Sequence, residues 1–101
     1  MKKYLLALDE GTTSARAILF DRYGGIVAMA NQAIRQIYPQ PGWVEQDPMD
    51  IYAAQVAALT ECVAKSGIHP DEIAAVGITN QRETALLWER ATGTPVSPAI
   101  V

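Results

Sequence analysis

The chain has 101 residues, half of them hydrophobic and 19% charged, with a formal net charge of −3. That length suits one small domain, able to bury somewhat over about 60% of the surface its unfolded chain exposes. Without a basic block, the composition argues against nucleic-acid binding through phosphate contacts and against a polybasic membrane anchor. Cys62 is the only cysteine, so no internal disulfide can form and a reducing, cytoplasmic setting is expected.

The run Tyr4 to Leu8 is apolar and stops at Asp9-Glu10. It is too short for a signal-peptide core or a membrane span and reads as a buried strand. Glu10 to Ser14 is the loop after it. Ala15 to Asp21 is a second strand, Arg22-Tyr23-Gly24-Gly25 a turn, and Ile26 to about Ile34 a third strand. The short connections predict an antiparallel meander of three strands. Gln36 to Gln46 holds two prolines and a glycine and reads as an ordered loop. Asp47-Pro48 then opens a helix, with Asp47 as its cap and Gly67 as a left-handed stop. Tyr52, Val56, Leu59 and Val63 form its expected apolar stripe, and Glu61 and Lys65 an i,i+4 pair. Ile73 to Thr79 is a fourth strand, placed parallel to the first by the strand–helix–strand connection. Thr84 to Glu89 reads as a fifth strand and Ala91 to Pro95 as a turn. Ala99-Ile100-Val101 resembles the start of a strand with no polar cap after it, which suggests a truncated domain.

Two polar segments could carry chemistry. Asp9-Glu10-Gly11-Thr12-Thr13-Ser14 follows the first strand. Successive N–H groups in such a bend can face phosphate oxygens, and the hydroxyls add donors. Asp9 could hold Mg²⁺ through water, and Arg16 could add positive charge. The same residues also suit a plain polar hairpin turn. Neither GxxxxGK[ST] nor GxGxxG occurs. Asn80-Gln81-Arg82-Glu83 follows the fourth strand. A guanidinium beside a carboxylate suits adjacent hydroxyls, each of which donates and accepts. A solvated loop with a local charge pair is the plainer account. If the first and fourth strands are parallel neighbours, both loops open at the carboxyl end of one sheet, where ligands of open α/β sheets bind. That pairing suits phosphoryl transfer to an alcohol.

Tyr38 and Trp43 are expected to pin the proline-rich loop to the body of the domain, and Trp88 to pack within its strand. Cys62 reads as a small residue near the helix face. His69 lacks a second His or Cys partner for a metal.

Leu8-Asp9-Glu10-Gly11-Thr12-Thr13-Ser14 resembles the first phosphate motif of the superfamily that joins sugar kinases, hexokinase, actin and the heat-shock chaperone ATPases. Tyr38 to Pro48 resembles the FGGY carbohydrate kinases. Gly77 to Thr84 is similar to the glycerol kinase branch of that family. The resemblance covers nearly the whole chain. It implies an α/β, ribonuclease-H-like, actin-type ATPase fold: an antiparallel three-strand meander, a crossover helix, a parallel strand and further strands. It implies transfer of the ATP γ-phosphate to glycerol, giving sn-glycerol 3-phosphate. Asp9 would help place Mg²⁺. Thr12, Thr13, Ser14 and Arg16 would contact the nucleotide phosphates, and Arg82 and Glu83 the glycerol hydroxyls. Glycerol kinases usually carry Gln where this chain has Glu10, and often Ser where it has Ala15.

On this resemblance residues 1–101 are an incomplete N-terminal kinase domain. The catalytic aspartate, the second phosphate loop and the adenosine pocket would lie beyond residue 101, so this polypeptide alone is expected to be inactive. Its cut sheet edge is expected to pair with another copy. A kinase for another polyol or sugar, and a non-catalytic module that binds nucleotide or a protein partner, are the competing readings.

Overall fold

A computed structural model describes residues 2–101. Strand β1 (Tyr4–Glu10) pairs antiparallel with β2 (Ser14–Phe20), which pairs antiparallel with β3 (Ile26–Ala33). After a long loop come a two-residue strand, β4 (Glu45–Gln46), and helix α1 (Pro48–Ser66). A 3₁₀ turn (Pro70–Glu72) leads into β5 (Ile73–Thr79), which runs parallel to β1. The main sheet has the order β3-β2-β1-β5. The last strand, β6 (Ala99–Ile100), pairs antiparallel with β4 in a separate small sheet.

Alternation sets the core. Leu6 and Leu8 on β1, Ala15, Ala17 and Leu19 on β2, and Ala30 on β3 are buried on one face of the main sheet. α1 lies over this face, chiefly across β2 and β3. The opposite face stays open and carries Leu5, Arg16 and Met29.

Helix α1 is delimited as its sequence predicts. The Asp47 side chain accepts a hydrogen bond from the Met49 N–H at 2.9 Å, and Gly67 closes the helix at φ 73°. Its buried face differs from the expected stripe. Ala54, Ala58 and Cys62 are buried, while Tyr52 and Val56 are exposed and Leu59 and Val63 only half-buried. Positions 52 and 54 lie about 200° apart around a helix. The small side chains face the sheet because they let the helix come close to leucines that already fill it. The Cys62 thiol donates to the Ala28 carbonyl at 3.5 Å, and burial pushes its pKa up. Lys65 donates to the Met29 carbonyl at 2.7 Å instead of pairing with Glu61.

Three other expectations change. Residues 84–89 form no continuous strand. They make a ragged ladder through Ala85 with Ile100 and Trp88 with Pro95, closed by Glu89 N–H to the Thr94 carbonyl at 2.7 Å. Tyr38, Trp43 and Trp88 are exposed and take no part in the buried core. The loop before α1 is partly strand, since Glu45–Gln46 pairs with Ala99–Ile100. His69 caps the 3₁₀ turn, its Nδ1 accepting from the Asp71 N–H while Glu72 accepts from the His69 N–H.

Candidate nucleotide and polyol site

The β1–β2 hairpin holds the first candidate loop. Its closure needs glycine: a Cβ on Gly11 would stand 2.9 Å from the Ser14 carbonyl oxygen, which accepts from the Gly11 N–H at 2.9 Å. The Thr13 carbonyl accepts from the Ile34 N–H at 2.9 Å, tying the bend to the end of β3. The Thr12 carbonyl accepts from Gln46 Nε2 at 2.6 Å and Gln36 Nε2 at 3.1 Å. Across a trans peptide the C=O and the following N–H point in opposite directions. With the Thr12 carbonyl turned toward Gln46, the Thr13 N–H points the other way. Among the described residues neither the Thr12 nor the Thr13 N–H donates to a protein acceptor. Backbone N–H groups left without a protein acceptor are the donors that anion sites use.

Asp9 and Arg16 are register partners across β1 and β2, and Asp9 also lies beside Thr79 of β5. These three positions share the open face of the sheet, away from α1. No cluster of three or more potential metal ligands occurs among the described residues. A lone Asp9 still fits Mg²⁺, which keeps several waters and takes one or two carboxylates beside substrate phosphates. Glu10 has the opposite orientation, sharing the parity of Leu6 and Leu8. Its Oε1 is buried without a hydrogen-bond partner. Burial, and then the Asp9 charge, push its pKa up to about 7.

The second loop follows β5. Because β5 runs parallel to β1, it leaves from the same end of the sheet as the first. Gln81 donates to Gln46 Oε1 and to Thr84 Oγ1, each at 2.8 Å. The Thr84 hydroxyl donates to the Arg82 carbonyl at 3.2 Å. Arg82 and Glu83 are exposed. Glu83 has φ 56°, the only non-glycine residue in the left-handed region among those described. Such strain persists where the surroundings over-determine it, and it clusters at ligand sites.

All the candidate residues therefore gather at one end of the sheet: Asp9, Thr12, Thr13, Ser14 and Arg16 on the hairpin, Arg82 and Glu83 on the neighbouring loop. They lie on an open surface. The cavities lie elsewhere, one of about 660 Å³ between α1 and β5 lined by Leu6, Leu59, Val63 and Val76, another beside Trp43 and Val101. Both are largely apolar and neither contains a candidate residue. Chain chemistry, not cavity size, marks the site. Gln46 is absent from the sequence-based candidates. A glutamine in a proline-rich loop carries no pattern, and only its burial sets it apart.

The backbone resembles solved kinases. It matches the xylulose kinase of Rhodospirillum rubrum with a TM-score of 0.83 at 30% identity, over 97% of this chain and 20% of that one. It matches the Plasmodium falciparum glycerol kinase with ADP at 0.82 and 34%, with the same coverages. The class is thus a carbohydrate kinase domain of the ribonuclease-H-like ATPase fold. Residues 4–101 match the model of the FGGY family of carbohydrate kinases, N-terminal domain; the chain belongs to that family. It is similar to the glycerol kinases of Shewanella putrefaciens and Shewanella sp. strain MR-4, at 58% and 59% identity over 100 residues. These alignments cover 99% of this chain and 20% of each relative, so the chain spans about a fifth of their length. No helix is long and apolar enough to cross a membrane among the described residues.

Proposed function

We propose that the chain is the amino-terminal part of a cytoplasmic glycerol kinase that transfers the γ-phosphate of ATP to glycerol. The observation that supports this most is the shared end of β1 and β5, from which both polar loops leave. In this reading the Thr13 N–H and the hydroxyls of Thr12, Thr13 and Ser14 hold nucleotide phosphates, with Arg16 adding positive charge. Arg82 donates to glycerol hydroxyls and Glu83 accepts from them, fixing which hydroxyl faces the phosphate. Asp9 would hold Mg²⁺ through water, and that ion would neutralise phosphate charge. The catalytic base is supplied by a part of the longer enzyme outside residues 1–101.

The similarity to glycerol kinases favours glycerol over another polyol or sugar. A pure nucleotide-binding module has no need of a polyol-facing loop. In the full-length enzyme, Arg82→Ala raises the glycerol KM and lowers kcat/KM by about a hundredfold or more, the loss of a charge-assisted hydrogen bond. ADP binding by calorimetry changes less than about threefold. Equal losses of both would refute the assignment. Residues 1–101 alone show no ATP-dependent glycerol phosphorylation, and steady turnover would contradict that. The isolated polypeptide also self-associates through β5, whose outer edge is unpaired among the described residues and whose Val76 and Ile78 are exposed. A concentration-independent monomer by light scattering would contradict this.

A further inference from the structure

Gln46 is 0% exposed, the one buried polar side chain among the described residues. A buried primary amide is costly unless its donors and acceptor are met. Here one amide hydrogen and the amide oxygen are met, one by each candidate loop, while Gln81 Oε1 stays buried without a partner. Gln46 Nε2 donates to the Thr12 carbonyl at 2.6 Å, and Gln46 Oε1 accepts from Gln81 Nε2 at 2.8 Å. Gln81 donates on to Thr84 Oγ1, which donates to the Arg82 carbonyl. The direction of this chain is forced. A backbone carbonyl only accepts, so the Gln46 amide must turn its NH₂ toward Thr12. Its oxygen then faces Gln81, which must present an NH₂ in turn. The base of the bridge is fixed as well: Gln46 pairs with Ala99 across β4 and β6, and the Glu45 N–H donates to the Ile37 carbonyl at 2.8 Å.

We propose that Gln46 is a positioning residue that couples the two loops, so that a ligand held at one favours the ligand at the other. The proposal rests on the kinase reading above and adds to it a link between the two binding events. A shift of the Thr12 peptide lengthens its bond to Gln46 unless the amide follows. The amide in turn carries Gln81, and Gln81 leads directly into Arg82 and Glu83. Serial hydrogen bonds in a buried setting reinforce one another. A ligand that orders one bend therefore lowers the ordering cost of the other, and linkage makes the effect reciprocal.

The test uses the full-length enzyme that carries this sequence. The Kd of a non-hydrolysable ATP analogue with Mg²⁺ is measured with and without saturating glycerol. The unmodified enzyme binds the analogue at least about fivefold more tightly when glycerol is present. In Gln46→Leu the ratio falls to about one. Gln81→Leu alters a half-buried position, so it keeps the question open should Gln46→Leu fail to fold, and it also brings the ratio to about one. A merely structural amide would weaken both ligands and leave the ratio intact. A ratio of one in the unmodified enzyme, or an unchanged ratio in Gln81→Leu, overturns the coupling while leaving the kinase reading standing. Absence of glycerol phosphorylation by the unmodified enzyme removes that reading, and the coupling with it.

Discussion

Glu10 carries a buried oxygen with no partner, beside a second carboxylate on Asp9. The folded chain therefore holds a proton, up to about pH 7, that the unfolded chain releases near 4.5. In that window the folded state binds more protons, so this group's contribution to stability declines as pH rises from about 4.5 through 7. Glu10→Gln keeps the shape and removes the charge. In metal-free urea unfolding it should raise stability at pH 8 by about 1 kcal/mol, a figure reduced for solvent screening at a partly exposed group. The variant and parent should converge near pH 4. A gain that persists unchanged at pH 4 would show that shape, not ionisation, is responsible. Alternation sends the neighbouring carboxylate, Asp9, to the open face, where Arg16 is its register partner. The two adjacent acids thus differ in setting: Glu10 has one buried, unpartnered oxygen, and Asp9, the proposed magnesium ligand, faces the open side of the sheet.

The long elements were legible because strong local signals agreed. Asp47, Pro48 and Gly67 bound α1 where cap chemistry places them. Apolar runs between turn residues located β1, β2, β3 and β5 within a residue or two, and loop lengths gave their directions. The buried side of α1 was not legible. Tyr52 and Val56 are the more hydrophobic choice, yet the sheet already presents Leu6, Leu8 and Leu19 and takes alanines in return. Ala58→Leu should destabilise the domain by about 1–3 kcal/mol through overpacking. Val56→Ala, on the exposed side, should cost under about 0.5 kcal/mol. Equal effects in thermal unfolding would contradict the observed facing. β6 falls where a strand start was expected at Ala99-Ile100-Val101, and a strand expected over 84–89 is reduced to single bridges at Ala85 and Trp88, but β4 and the pairing of these pieces escaped sequence reading, since two-residue pairings carry no periodicity.

At the scale of the whole molecule, the proposed function depends on where two loops end up. Residue type alone singled out Thr12–Ser14 and Arg82–Glu83 as candidates, and the parallel pairing that puts them at one end of the sheet followed from the crossover helix. The amide that joins them was not legible, because Gln46 differs from the surface glutamines only through tertiary burial. Asp9 and Arg16 lie on the open face of β1 and β2, at the end of the sheet from which the Arg82–Glu83 loop leaves β5. The most direct test is a crystal structure of the full-length enzyme with a non-hydrolysable ATP analogue, Mg²⁺ and glycerol. The terminal phosphate should lie against the Thr13 N–H, with a glycerol hydroxyl held by Arg82 and Glu83 about 3–3.5 Å from its phosphorus. Glycerol bound away from Arg82 and Glu83, or phosphates seated at the other end of the sheet, would contradict it.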